Sequence, residues 1–248
     1  MGALDGRIAI VTGGGGGIGS AIAKRLFGEG AKVAVVDIDD AAANHCANRI
    51  APGDDVMPLV ANVTKKPDVN EIVTKTLNRW GRIDILINVA GGAERKPVIE
   101  MTATDWDRVV DMNLKSVFLC SQAVLPTMLE QRYGKIVNIS SIYGFTGNAT
   151  RSSYAAAKAG VAAFTKSLAL EHARDSLNIN AIAPGRIETQ RVRGHYTDEA
   201  WTAEVAKIPM ARAGTPDEIA SAALFLVHDE NQYITGQTFH VNGAWLNW

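Results

Sequence analysis

The fold is decided by the stretch Arg7-Ile8-Ala9-Ile10-Val11-Thr12, which is followed by glycines at 13–17 and by Ile18-Gly19. The first part is a short β-branched run, typical of a buried strand, and the glycines supply a turn. Residues 20–27 carry apolar side chains at helical spacing, and residues 32–36 form a second apolar run that stops at Asp37. Strand, glycine turn, helix and strand in this order predict a βαβ unit of a parallel sheet.

The same alternation continues to the end of the chain. Further strands are predicted at 56–60, 83–87, 135–139, 178–183 and 238–241, and helices at 68–79, 104–112, 114–130, 153–172 and 216–227. We therefore predict an α/β fold with one doubly wound domain over residues 1–248 and helices on both faces of a parallel sheet. Residues 188–214 contain no predicted strand and are too long for an ordinary connection, so we interpret them as a substrate lid.

Composition narrows the classes of function. The 248 residues are 47% hydrophobic and 21% charged, with a net charge of -1, which argues against disorder and against a nucleic-acid binder driven by positive charge. The two cysteines, Cys46 and Cys120, indicate neither a disulfide scaffold nor a metal motif, and the histidines are scattered. The sequence has no signal-peptide pattern and no run of about 18 apolar residues. We expect a cytoplasmic protein without a metal, a membrane anchor or a nucleic-acid partner.

The glycine turn has the pattern of a dinucleotide site. It matches GxGxxG from position 14, or TGxxxGxG from Thr12. Glycines let the backbone approach a pyrophosphate, and the N-terminus of the next helix binds phosphate through its free N–H groups. A flexible loop is the alternative. The candidate contacts in this turn are Gly13, Gly16, Gly17, Ile18 and Gly19.

Asp37 ends the second strand, where a carboxylate accepts hydrogen bonds from both ribose hydroxyls and repels a 2′-phosphate. No Arg or Lys lies in the glycine turn or directly after Asp37. The sequence therefore predicts NAD rather than NADP as the cofactor, with Ile38 as a neighbouring contact. A solvated aspartate at a strand end is the alternative.

Tyr154 and Lys158 are four residues apart on a predicted helix, so they share one face. Ser141 follows a predicted strand end, where the sites of α/β proteins usually form. A nearby ammonium and a cationic nicotinamide would favour the phenolate of Tyr154 and make it a base. Ser141 would hold the substrate oxygen as charge develops. From spacing alone, a surface tyrosine and a solvated lysine remain the alternative.

The chain resembles the short-chain dehydrogenase/reductase family over almost its whole length. The residues that carry the resemblance are Thr12-Gly13, Gly17-Ile18-Gly19, Asn88-Val89-Ala90-Gly91, Asn113, Ser141, Tyr154-Ala155-Ala156-Ala157-Lys158 and Pro184-Gly185. The resemblance implies a three-layer Rossmann-type domain with a seven-stranded parallel sheet. It also implies that Tyr154 is the acid and base, that Lys158 binds the nicotinamide ribose, and that Ser141 orients the substrate. Asn113 would support a proton-relay water; on sequence alone it is more simply a helix cap before Leu114.

Further cofactor contacts follow from the same resemblance. Asn62 and Val63 would lie beside the adenine, and Thr189 would bond the carboxamide that Pro184, Gly185 and Ile187 meet. Asn88, Ala90 and Gly91 would lie along the cofactor. The resemblance implies a homo-oligomer, usually a tetramer, and leaves a related partner subunit open. The aromatic residues at 244–248 suit a subunit contact, with a flexible tail as the alternative.

Arginines are concentrated near the expected site. Arg186, Arg191 and Arg193 lie in or near the lid, and Arg151 precedes Tyr154 by three residues, with Tyr143 as an expected apolar wall. Because arginine pairs with carboxylate and phosphate, we predict an anionic substrate. The alternative is that long loops carry solvated charges.

Residues 183–189 and 233–238 are most similar to those of 3-oxoacyl thioester reductases. Asp37 departs from their usual preference for NADPH, so oxidation by NAD of a 3-hydroxyacyl-CoA or a hydroxy acid is the preferred interpretation. The alternatives are a dehydrogenase of a neutral polyol, sugar or ring alcohol, and a non-catalytic NAD-binding subunit.

Overall fold

Seven short apolar runs pair in parallel to form one sheet, in the order β3-β2-β1-β4-β5-β6-β7. The computed structural model describes residues 2–51 and 53–247. The strands are β1 Ile8–Thr12, β2 Lys32–Asp37, β3 Val56–Val60, β4 Ile85–Asn88, β5 Gly134–Ile139, β6 Leu177–Pro184 and β7 Thr238–Val241. The predicted α/β fold with a seven-stranded parallel sheet is confirmed.

The helices are α1 Gly17–Gly28, α2 Asp40–Ile50, α3 Lys66–Trp80, α4 Ala103–Val110, α5 Ser116–Gln131, α6 Tyr143–Thr146, α7 Ser152–His172, α8 Gln190–Arg193, α9 Asp198–Val205 and α10 Pro216–Val227. Among the described residues, no helix is long and apolar enough to cross a bilayer. No group of three or more His, Cys, Asp or Glu side chains within residues 2–51 and 53–247 is arranged to hold a metal ion.

The sheet is covered on both faces because successive strand residues point to opposite sides. Ala9 and Val11 pack with the buried faces of α1, α2 and α10. Ile10, between them, packs on the other side with the buried faces of α3, α5 and α7. These two hydrophobic layers make the three-layer architecture and hold β1 between them.

Helix α2 was not predicted from the pattern, although its start has a clear signal. The side chain of Asp39 accepts a hydrogen bond from the backbone N–H of Ala42 at 3.1 Å, as a helix cap does. Only Ala43, Cys46 and Ala47 are buried on its inner face, so the apolar periodicity is weak. This helix therefore has no long hydrophobic stripe by which the sequence pattern could reveal it.

The segment 188–214, predicted to be a lid, contains α8 and α9 and is closed at its base. Ile187 and Gly214 form an isolated parallel bridge, and the Glu188 N–H donates to Gly214 O at 2.8 Å. The segment therefore leaves and rejoins the domain at one point. Its function as a lid stays a prediction.

Candidate active site

A cavity of about 950 Å³ runs along the carboxyl ends of the strands. From β1 the chain adds β2 and β3 on one side of the sheet and then β4 to β7 on the other, so the topological switch point lies between β1 and β4. Ligands of open α/β sheets bind at such a switch point. We call this cavity the cleft. It is lined by the glycine turn at one side and by residues that follow β5 and β6 at the other.

The turn between β1 and α1 requires glycine at two positions. Gly13 has a φ of +62°, and a Cβ there would lie 2.9 Å from the Cα of Ala90. A Cβ on Gly19 would lie 2.1 Å from Gly13 O, so α1 approaches the turn too closely for any side chain. The five predicted contacts in the turn, Gly13, Gly16, Gly17, Ile18 and Gly19, all line the cleft. The first turn of α1 thus presents free N–H groups and a positive helix end to an anion.

Asp37 closes one end of the cleft with a fixed carboxylate. Its Oδ2 accepts from Gly15 N–H at 3.0 Å and its Oδ1 from Asp39 N–H at 3.2 Å. Ile38, Asn62 and Val63 line the same part of the cleft. The lining residues described there include no arginine or lysine. This end of the cleft is therefore negatively charged and suits hydroxyl groups better than a phosphate.

Asn88 is a correction to the predicted cofactor contacts. It is only 3% exposed, does not line the cleft, and donates from Nδ2 to Asn138 Oδ1 at 2.9 Å between β4 and β5. Its side chain is part of the sheet interior because β4 runs one residue further than predicted. The next residues, Ala90 and Gly91, do line the cleft, as do Pro184, Gly185, Ile187 and Thr189.

Ser141, Tyr154 and Lys158 lie together in the wall of the cleft. Lys158 is 3% exposed, and its Nζ donates to Ile139 O at 2.7 Å, at the end of β5. The same Nζ lies 5.7 Å from the centroid of the Tyr154 ring. The Ser140 hydroxyl donates to Lys158 O at 2.8 Å, which ties the loop after β5 to α7. Ser141, which follows β5, is thus held beside Tyr154 and Lys158 of α7, because the end of β5 and the loop after it are hydrogen-bonded to that helix.

Burial controls the ionisation of this site. It raises the pKa of Tyr154 above its ordinary value, outweighing the interaction with Ser141 and the charges of Arg151 and Arg191, which lower it. The expected downward shift is therefore not found in the free protein, because the loss of hydration dominates. Burial also lowers the pKa of Lys158 to about 8. Burial therefore favours the protonated form of the Tyr154 phenol over the phenolate.

Asn113 is a second correction, since it does not cap a helix. It lies in a π-helical turn, Asp111–Lys115, that joins α4 and α5 without a break. Its Nδ2 donates to Gly92 O at 2.7 Å and to Val109 O at 2.8 Å, and its Oδ1 accepts from Gly92 N–H at 3.1 Å. The amide thereby holds the loop after β4 against the cleft. A role in proton relay stays a prediction.

The four predicted substrate arginines fall into two classes. Arg186 lines the cleft but pairs with Glu204 and donates to the Tyr196 hydroxyl at 2.9 Å. Arg193 pairs with Asp198 and does not line the cleft. The prediction that it contacts the substrate is therefore corrected. Arg151 and Arg191 line the cleft, and neither forms an ion pair with any residue in the part of the chain that the structure describes.

Comparison with known proteins agrees with this arrangement. A family model described as enoyl-(acyl carrier protein) reductase matches residues 13–245, which span the glycine turn, the Ser-Tyr-Lys set and the lid. The chain belongs to the short-chain dehydrogenase/reductase family. It is therefore an oxidoreductase of a family that binds a nicotinamide cofactor.

Several members of this family are similar over nearly full length. The 3-oxoacyl-[acyl-carrier-protein] reductase FabG of Vibrio cholerae is 41% identical, covering 97% of this chain and 98% of its own. The FabG of Thermotoga maritima is 40% identical over the same shares. A crystal structure of levodione reductase has a TM-score of 0.93 and 35% identity, covering 97% of this chain and 98% of its own.

Sequence reasoning missed one aromatic residue that this dehydrogenase/reductase places in the cleft wall. The Tyr196 hydroxyl accepts from Arg186 and from Arg95, each at 2.9 Å. Burial opposes the change, but the Arg186 hydrogen bond and the surrounding arginine charges lower the pKa of Tyr196. A tyrosine inside an arginine-rich lid was the available signal. Trp201 packs against Tyr196 with ring centroids 5.8 Å apart and does not line the cleft.

Of the two C-terminal tryptophans, the structure describes Trp245. Trp245 packs against Tyr143 with ring centroids 6.3 Å apart, and the Arg186 guanidinium lies 5.6 Å from its ring. It therefore supports the cleft wall from behind within one protomer. Trp248 lies outside the described residues, and the subunit contact predicted for 244–248 stays a prediction.

Proposed function

We propose that this protein is an NAD-dependent dehydrogenase that oxidises a secondary alcohol to a ketone by reversible hydride transfer, with an anionic substrate such as a 3-hydroxyacyl-CoA or a hydroxy acid. One observation carries the proposal. Ser141, Tyr154 and Lys158 line one part of the cleft, whereas the fixed carboxylate of Asp37 lines the far end. The first set suits carbinol chemistry, and the second suits an unphosphorylated ribose.

The cleft fits a dinucleotide sterically as well. The glycine turn presents bare backbone to the cleft, and a Cβ on Gly16 would lie 3.3 Å from Gly13 O, closer than an ordinary van der Waals contact. Thr189, whose hydroxyl caps α8, stands over Gly17. These groups would hold the pyrophosphate and the carboxamide ends, with Asp37 on the ribose hydroxyls. NAD, when bound there, supplies the hydride acceptor.

The residues of the chain would divide the remaining work. Ser141 donates a hydrogen bond to the carbinol oxygen and orients it. Tyr154 accepts the hydroxyl proton as the carbon is oxidised, and below its pKa of about 8 the buried Lys158 adds a positive charge near the phenol. Because burial raises the pKa of Tyr154, oxidation is favoured at alkaline pH and reduction at lower pH.

The charge of the cleft supports an anionic substrate. Arg151 and Arg191 reach the cleft without a protein carboxylate beside them in the described ranges 2–51 and 53–247. The similarity to 3-oxoacyl-[acyl-carrier-protein] reductases favours an acyl substrate. The similarity to a levodione reductase favours the alternative, a neutral ring alcohol or ketone.

The test is an NAD-reduction assay near pH 9 with anionic and neutral secondary alcohols, on the wild type and on Tyr154→Phe. We expect the variant to bind NADH normally and to lose about 10²–10⁴-fold in kcat, because it lacks the proton acceptor. Fluorescence titration with NADH is the control for folding and cofactor binding. The proposal would be overturned if Tyr154→Phe kept the wild-type kcat. It would also be overturned if none of the tested alcohols allowed the wild type to reduce NAD.

A further inference from the structure

Arg151 lies in the cleft wall, and no carboxylate within residues 2–51 and 53–247 pairs with its charge. It immediately precedes α7, and its backbone oxygen accepts from Ala155 N–H at 2.9 Å. The side chain is half-buried, and its guanidinium carbon lies 5.6 Å from the centroid of the Tyr143 ring. Its Nε is buried without a hydrogen-bond partner among the described atoms. Because buried polar groups are normally hydrogen-bonded, this guanidinium has the capacity to donate to an acceptor on a ligand.

Other cations near the cleft are already neutralised. Arg108 pairs with Glu94 and Asp105, and Lys96 pairs with Asp105. Arg186 and Arg193 have their own carboxylates, as described above. These four cations therefore each have a carboxylate partner, whereas Arg151 has none among the residues that the structure describes. Burying a charge without a partner is costly, so its retention in a ligand cavity points to an anion brought by the ligand.

The position of Arg151 fixes where that anion would bind. Arg151 precedes the phenol-bearing Tyr154 by three residues, and both line the cleft. The charges of Arg151 and of Arg191 both act on the Tyr154 phenol. Arg191 approaches from the lid, where its Nη1 lies 3.4 Å from Gly91 O. An anion held by Arg151 would therefore lie in the part of the cleft that contains the Tyr154 phenol.

Resting on the proposed function, we infer that Arg151 binds a free carboxylate of the substrate, so the substrate is a short hydroxy acid and not its coenzyme A thioester. A thioester carbonyl at this position is neutral and offers no charge to pair with a guanidinium. The phosphates of coenzyme A lie at the far end of a long arm, away from the carbinol. Arg191, which is exposed and lines the same cleft, would supply a second donor to the carboxylate.

The reaction balances without a further reactant. The carbinol C–H bond breaks and its hydride reduces NAD⁺ to NADH, while the O–H bond breaks and its proton goes to Tyr154. The carbinol becomes a ketone, and the carboxylate is unchanged. An oxo acid and NADH leave, and the proton passes from Tyr154 to solvent.

The experiment compares each acid with its uncharged counterpart. The probes are 2-hydroxybutyrate, 3-hydroxybutyrate and 4-hydroxypentanoate, each beside its amide, together with 3-hydroxybutyryl-CoA and a neutral secondary alcohol. The proteins are the wild type, Arg151→Met, Arg151→Lys and, as a matched control off the cleft, Arg193→Met. NADH titration and thermal unfolding show whether each variant is folded.

We expect the wild type to prefer one acid over its amide and over the thioester. Arg151→Met should lower kcat/KM for that acid about 30-fold or more, mainly through KM, because a charged bidentate contact is lost. The amide should change less than about threefold. Arg151→Lys should recover part of the loss, since it keeps the charge but not the fork geometry. Arg193→Met should resemble the wild type.

Contrary outcomes separate this inference from the proposed function. A wild type that oxidises the thioester, the amide or a neutral alcohol better than the acid overturns the carboxylate site and leaves the dehydrogenase standing. Equal losses for acid and amide in Arg151→Met, with a displaced pH profile, would mean that Arg151 tunes Tyr154, and also overturn it. If Arg151→Met does not fold, the acid-to-amide ratio of the wild type and Arg151→Lys decide. If the wild type reduces NAD with none of the alcohols, the proposed function itself is overturned.

Discussion

Among single residues, Asp37 has the clearest consequence for the choice of cofactor. Its two oxygens are oriented by Gly15 and Asp39 N–H groups, and it lines the cleft. We expect Asp37→Asn to raise kcat/KM with NADP about tenfold or more, because the repulsion of a 2′-phosphate is removed, and to lower kcat/KM with NAD. Steady-state kinetics with both cofactors measures the ratio.

Asp39 provides the matched control for that variant. It is an adjacent acid, but its carboxylate caps α2 through the Ala42 N–H. Asp39→Asn should leave the ratio of NAD to NADP nearly unchanged, since asparagine also caps helices well. Wild-type protein that uses NADP as well as NAD would contradict the assignment of Asp37.

The residues of the site differ in how far the sequence could define them. The spacing of Tyr154 and Lys158 and the strand-end position of Ser141 made a shared site one of two interpretations, and the resemblance to the short-chain dehydrogenase/reductase family favoured it over a surface tyrosine and a solvated lysine. The arginines could not be sorted in that way. Whether Arg193 faces substrate or Asp198 depends on how the lid folds, and long-range ion pairs leave no periodic trace in the sequence.

Among the elements, the amino ends of β1, β4 and β5 are joined by one buried acid. Asp84 is 0% exposed; its Oδ2 accepts from Ile8 N–H at 2.9 Å and from Arg82 Nε at 2.8 Å, and its backbone oxygen accepts from Lys135 N–H at 2.9 Å. Asp84→Ala should lower the free energy of unfolding by about 2–3 kcal/mol, because buried donors lose their acceptor. Urea denaturation monitored by circular dichroism measures the change.

Asp55 is the control for this prediction. It also lies at the amino end of a strand and pairs with Lys32 at 2.9 Å, but its side chain is 57% exposed. Asp55→Ala should change the free energy of unfolding by about 0.5 kcal/mol or less. Equal effects of the two substitutions would show that Asp84 does not hold the strand ends together.

The elements that sequence reasoning identified are those with strong periodicity. The predicted strand at 56–60 and the helix at 216–227 match their observed bounds, Val56–Val60 and Pro216–Val227. Helix α9 has no buried residue, so no apolar stripe marked it. The break expected near Asn113 is a π-helical turn, which residue patterns do not distinguish from the end of a helix.

On the scale of the whole molecule, the two long helices α5 and α7 present a partly exposed aromatic pair at the surface. Phe118 of α5 is 41% exposed and packs edge-on against Phe164 of α7, with ring centroids 6.3 Å apart. We propose that the two long helices form a subunit contact of a homotetramer. Phe118→Arg should dissociate it into smaller species, because a buried arginine lacks a partner there. Sedimentation velocity measures the size.

Val60→Arg is the control for the assembly. Val60 is an exposed apolar residue at the end of the edge strand β3, away from α5 and α7. This variant should sediment as the wild type does. A wild type that is monomeric, or a Phe118→Arg variant of unchanged size, would contradict the proposed contact.

The π-helical turn at Asp111–Lys115 makes chain length, and not only residue type, a constraint on the shape of the cleft. The turn holds one residue more than an α-helical turn, and one residue corresponds to about 100° of rotation on an α-helix. Helices α4 and α5 can therefore form one continuous rod and still face different neighbours. Deleting a single residue here would swing the Asn113 amide off the Gly92 backbone, whereas surface loops of the same protein tolerate changes in length.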